Sequence, residues 1–161
     1  MDSPAFTFLH VAISLIAILS GFVVMYGLLG GKRLDAATPL FLVTTVATSV
    51  TGFFFHRAHI LPSHIVGIVS LVLLGAAILA LYSFHLRGAW RTVFVVGAVA
   101  SLYLNVFVLI VQSFLKVPLL NALAPTQSSE PAFVAAQGLA LVVFVTVGVL
   151  SFMRFRPPAV A

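Results

Sequence analysis

Residues 92–115 read TVFVVGAVASLYLNVFVLIVQSFL, with Arg91 immediately before and Lys116 immediately after, and with no Asp, Glu, Lys or Arg between them. A helix rises about 1.5 Å per residue. A run of this length therefore crosses a hydrocarbon core of about 30 Å. Continuous apolarity also decides against a β-barrel, whose strands alternate lipid-facing and lumen-facing residues over about ten positions. Only a helix satisfies every backbone N–H and C=O within one such segment. Four further runs have the same character: 6–29, 39–55, 64–84 and 132–153, the second being the shortest. The expected fold is all-α, a polytopic transmembrane helical bundle of five helices forming a single domain over 1–161.

Composition supports this reading. Of the 161 residues, 62% are apolar and 7% charged, whereas a soluble domain carries about 25% charged residues to cover its surface. The formal net charge is +5, from eight basic and three acidic residues. In a soluble chain that excess points to nucleic acid; here the basic residues fall between apolar runs, so no nucleic-acid partner is expected and the lipid bilayer is the first one. Cysteine is absent, which excludes disulfides, thiolate nucleophiles and thiolate metal ligands. The N-terminus is acidic rather than basic, and the run behind it exceeds a signal-peptide core, so the first segment is expected to be retained.

Punctuation between the runs agrees with these boundaries. Gly30 and Gly31 suit a left-handed helix stop. Thr38-Pro39, Ser63 and Ser129-Glu130-Pro131 suit helix starts, as N-caps or as proline in the first turn. Lys32, Arg33, Arg87, Arg91, Arg154 and Arg156 share one side of the membrane, against Arg57 and Lys116 on the other. The positive-inside rule then puts the N-terminus outside and the C-terminus in the cytoplasm. The longest connection, 116–131, faces outward and contains Val117, Pro118, Leu119, Leu120 and Leu123, an apolar set suited to the membrane interface.

No span holds a fixed charge, which argues against proton relays, ion-coupled transport and voltage sensing. Small and neutral polar residues do recur at helical spacing. His10, Ser14, Ala17 and Gly21 lie on one face of the first helix, and Thr45, Ser49, Gly52 and His56 on one face of the second. Laid antiparallel, these stripes pair His10 with His56, Ser14 with Gly52, Ala17 with Ser49 and Gly21 with Thr45. The fourth helix adds Gly97, Ser101, Asn105 and Gln112, and the fifth Gln137. Such stripes ordinarily mark close helix packing.

Four of the five histidines, His10, His56, His59 and His64, map to the outer side, and His85 to the inner. Histidines at helix ends often rest in the headgroup region without a ligand. As a site, the group offers two alternatives. Haem b would use His10 and His64 across the bundle, lined by Gln112 and Gln137, since helices packed through glycine and serine approach too closely for His10 and His56 to share one porphyrin. Zinc or copper would use His10, His56 and His64.

Three stretches carry a family resemblance: Thr44-Thr45-Val46-Ala47-Thr48-Ser49-Val50-Thr51-Gly52-Phe53, Leu61-Pro62-Ser63-His64-Ile65-Val66-Gly67-Ile68, and the run 102–126. Together they resemble an uncharacterised family of small bacterial inner-membrane proteins, which implies a bacterial inner (cytoplasmic) membrane location and no particular activity. The chain also has some similarity to small b-type cytochrome-like helical bundles, which implies His10 and His64 as ligands. The gathering of histidines on one side departs from that pattern and argues against a two-haem wire.

Three functions follow as expectations. The first is an interaction or accessory subunit that packs against other membrane-protein subunits, or against further copies of itself. The second is a redox or metal-binding protein using the outer histidines, and the third is passive transport of a small neutral solute along the hydroxyl stripe. No catalytic constellation is recognised: Ser14, Ser49 and the histidines lack a carboxylate in the bundle to orient a base.

Overall fold

The computed structural model describes residues 3–55 and 62–156. Among these the chain forms six α-helices and no strand: α1 Pro4–Leu29, α2 Ala37–Gly52, α3 Pro62–Ile78, α4 Trp90–Lys116, α5 Pro118–Leu123 and α6 Pro131–Arg154. A π-helical turn, Leu79–Ser83, prolongs α3. Four stretches are long and apolar enough to cross a membrane: Pro4–Leu29, His64–Ser83, Trp90–Lys116 and Pro131–Arg154. The chain is thus a helical bundle built as an integral membrane protein.

Helix ends follow local chemistry. Ser3 caps α1 by accepting the Phe6 N–H, Gly30 closes it, and Gly31 takes φ +72°, a left-handed conformation that costs glycine little. Pro131 opens α6 behind Glu130, as the sequence implies. Two starts differ from expectation. The first turn of α2 begins at Ala37, with Thr38 inside it donating its hydroxyl to the Leu34 carbonyl at 2.8 Å. Likewise α3 starts at Pro62, so Ser63 lies within its first turn. At its other end α2 stops at Gly52, giving 16 residues where the apolar run continues to Phe55. Phe53 and Phe54 turn back onto the Val50 and Thr51 carbonyls instead.

Successive long helices alternate in direction. α4 is the hub, packed against α1, α2, α3 and α6, while the others form an arc in the order α3, α2, α1, α6. Phe41, Leu74, Phe94 and Leu102 fill the centre with almost no exposure. Glycine sets the closest approaches. A Cβ at Gly21 would lie 2.5 Å from Leu102 and 2.9 Å from Phe41, and one at Gly97 would lie 2.9 Å from the Leu73 carbonyl oxygen. At the basic end, Arg91 ties α4 to the last turn of α6, donating to the Phe152 carbonyl at 2.9 Å and to the Phe155 carbonyl, with its guanidinium 5.0 Å from the Phe152 ring centroid. The apolar connection 116–131 forms α5, with Leu119 and Leu123 exposed.

Candidate functional site

The end of the bundle that carries the N-terminus holds most of the candidate residues. His10 sits in the second turn of α1, half-buried against α2. Its Nδ1 is 2.7 Å from the Thr51 hydroxyl, and its ring meets Phe55 edge-on at 4.9 Å between centroids. Thr51 donates its single hydroxyl proton to the Ala47 carbonyl at 2.7 Å. With that proton on the carbonyl, the Thr51 oxygen accepts from His10 in its Nδ1–H tautomer, whose lone pair is on Nε2; with it turned to the ring, Nδ1 accepts from Thr51. Phe6 also packs on Phe55, at 5.1 Å, so the end of α2 is framed by two rings and the imidazole.

The expected register of α1 and α2 is displaced by one turn. Gly52 faces His10, a Cβ built there lying 3.9 Å from the imidazole, whereas the stripe alignment pairs Gly52 with Ser14; Gly21 correspondingly meets Phe41 rather than Thr45. Thr51, which lies off the expected stripe, supplies the partner for His10. The antiparallel packing through small residues is as expected; the displacement arises because a stripe repeating every three or four residues matches itself again after a four-residue slide.

The other candidates occupy different helix interfaces. His64, in the first turn of α3, stacks on Phe53 at 5.8 Å, next to Gly67, whose absent side chain makes room for the same ring. Gln137 on α6 donates through Nε2 to the Phe107 carbonyl of α4 at 3.2 Å. Gln112 is half-buried on α4. So His10 lies between α1 and α2, His64 between α2 and α3, and Gln137 between α4 and α6. His56 and His59 lie outside the described residues. Among the described residues no three of His, Asp and Glu gather closely enough to hold a metal ion. Ser49 meets Ser70 of α3 at 3.2 Å. Ser70 belongs to none of the expected stripes; its helical spacing from Gly67, Leu74 and Ala77 is the signal in the sequence that points to it.

One acidic residue is tightly engaged outside the spans. The Glu130 carboxylate accepts from the Thr126 N–H at 2.8 Å, the Thr126 hydroxyl at 2.5 Å and the Ser128 N–H at 2.9 Å. These donors, the Thr126 hydroxyl foremost, lower its pKa to about 2. The loop ahead of α6 is thus wound around a charged group that needs no cation.

Comparison with family models, curated proteins and solved structures finds no match for this chain.

Proposed function

We propose that this chain is a five-span protein of the bacterial inner membrane, N-terminus outside and C-terminus in the cytoplasm, that serves as an interaction or accessory subunit docked through α6 onto a transmembrane helix of a larger complex. Six basic residues at one end against two at the other support the orientation. As the fifth span, α2 is about 24 Å long, and Phe53 and Phe54 extend its apolar surface toward the interface.

Gly138 is the observation that carries the docking reading. Glycine within a helix costs roughly 0.5–1 kcal/mol relative to alanine. Gly21, Gly67 and Gly97 are explained by neighbours that a Cβ would strike, whereas a Cβ at Gly138, like one at Gly75 of α3, meets nothing within 4 Å; of these two, Gly138 is the exposed one. Ala135, Gly138 and Val142 share one exposed face of α6, and only 11% of the most apolar stretch of this helix is buried, against 39% for α4. Exposed apolar surface by itself suits lipid. A glycine notch flanked by alanine and valine suits the close approach of another helix, where packing rather than hydrophobicity drives association.

A photo-crosslinking residue at Val142 should give one discrete protein adduct in native membranes, abolished by Gly138→Leu. The same probe at Leu19, on the lipid-exposed face of α1, should give none. Indistinguishable lipid labelling at both positions would refute docking, and an adduct of twice the chain's own mass would make the partner a second copy.

A second reading, haem b or a zinc or copper ion held through His10, is supported by the Thr51 bond at Nδ1, which orients the ring and in the Nδ1–H tautomer leaves the lone pair on Nε2, an arrangement metal-binding histidines use. An ultraviolet–visible spectrum with metal analysis of the purified protein tests it: a colourless, metal-free preparation removes it.

A further inference from the structure

Hydroxyl groups within the described helices differ in how they are satisfied. Ser14, Ser20, Thr38, Thr44, Thr51, Ser113 and Thr146 each donate to the carbonyl four residues earlier, at 2.7–2.8 Å. That back-bond is the ordinary refuge of a hydroxyl in an apolar span, because it needs no partner outside the helix. Thr45, Thr48 and Ser101 do not take it, nor does Ser151 near the end of α6. Their hydroxyl oxygens are buried with no hydrogen-bond partner among the described residues, and so is Nδ2 of Asn105. Thr45 and Ser101 are both 0% exposed.

The groups on α2 and α4 lie on adjoining helices around the bundle's interior. On α2, Thr45 lies one turn after Phe41, which rests on Gly21 of α1, and one turn before Ser49, which meets Ser70 of α3. Thr45 thus faces inward between α1 and α3. On α4, Ser101 lies one turn after Gly97, which abuts the Leu73 carbonyl of α3, and beside Leu102, which reaches Gly21 of α1. Ser101 therefore faces the same interior from the hub, one turn ahead of Asn105, and α2 and α4 touch across it. Neutral donors and acceptors thus line two helices that touch, in spans whose interior carries no charge.

We propose that this interior is a hydration site, in which ordered water molecules bridge Thr45 and Thr48 on α2 to Ser101 and Asn105 on α4. Water matches the chemistry: it donates to a hydroxyl oxygen, accepts from the amide nitrogen, and is retained where two to four polar partners surround it. Ions are disfavoured for want of a countercharge. Thr45, Thr48 and Thr51 climb α2 at three-residue steps, so the hydrated line leads to the Thr51 hydroxyl that holds His10. The site is independent of the docking reading for α6.

Water-edited solid-state NMR of the full chain in lipid bilayers tests the site. Magnetisation should pass from water to Thr45 and Ser101 severalfold faster than to Leu74, an equally buried apolar residue, and Thr45→Val should slow the transfer at Ser101. Transfer at Thr45 and Ser101 as slow as at Leu74 would overturn the proposal, as would a Ser101 rate untouched by Thr45→Val. The wild-type comparison decides even where the variant fails to fold. A folded Thr45→Val protein with a raised thermal midpoint would also count against bound water, since it would mean that an unpaired hydroxyl had simply been removed.

Discussion

Gly97→Ala and Gly138→Ala add the same methyl group to two helix interiors and should change stability in opposite directions. At Gly97 the new Cβ would lie 2.9 Å from the Leu73 carbonyl oxygen, 3.0 Å from the Ala77 Cβ and 3.6 Å from the Ala77 Cα. These are backbone or backbone-proximal atoms, so relief requires α3 to move away from α4, and overpacking of this kind costs about 1–3 kcal/mol. Alanine's better helix propensity returns at most about 1 kcal/mol. With the full propensity gain the net loss is up to about 2 kcal/mol. At Gly138 no atom lies within 4 Å, so only the propensity gain remains and the isolated chain should become slightly more stable. Trp90, the single tryptophan, stacks on Phe84 and packs against the core, which makes its fluorescence the natural probe for reversible unfolding in mixed micelles. A Gly97→Ala protein more stable than wild type, by the propensity gain expected at Gly138, would refute the close approach of α3 and α4. A destabilised Gly138→Ala monomer would refute the open face of α6.

Other outcomes follow from single contacts. Arg91→Ala should fray the last turn of α6 and cost about 1 kcal/mol, the guanidinium bonds being partly exposed; faster amide exchange around Ser151 and Phe155 would register it, and Arg91→Lys should restore little because an ammonium lacks the planar fork. Glu130 favours its charged form when folded, so its contribution is fully present above its ordinary value of 4.5 and is lost as pH falls through about 2. A carboxyl carbon-13 titration should therefore show a midpoint near 2, and a midpoint near 4.5 would dismiss the hydrogen-bonded loop. Reporters fused after Leu34 and after Pro157 should read cytoplasmic and one after Thr126 external; a cytoplasmic reading after Thr126 would remove a span or invert the topology.

The apolar runs were legible because lipid offers backbone groups no partner, so each span must be continuous and uncharged. Gly30, Gly31 and Pro131 could be read for equally local reasons: a left-handed stop and a proline start depend on no neighbour. The placement of α4 at the hub was not legible. Lipid-facing and protein-facing surfaces are equally apolar here, so Val142 on open α6 and Val95 in the buried centre carry the same signal. The candidate site divides along the same line. His10 as an inward polar residue of α1 could be read from spacing, but its partner Thr51 depends on a register that Ser14, Gly52 and their repeats leave degenerate by one turn. His64 and Gln137 fell into separate interfaces because side-by-side depth in sequence says nothing about which helices adjoin.

Docking of a partner subunit on the Gly138 face is tested most directly by the mass of the assembly extracted from native membranes in polymer-bounded lipid discs. Native mass spectrometry of the wild-type chain should show it bound at fixed stoichiometry to a different polypeptide, and the Gly138→Leu chain, still folded by Trp90 fluorescence, should appear alone. A wild-type chain that is alone, or whose companion survives Gly138→Leu, would contradict the account.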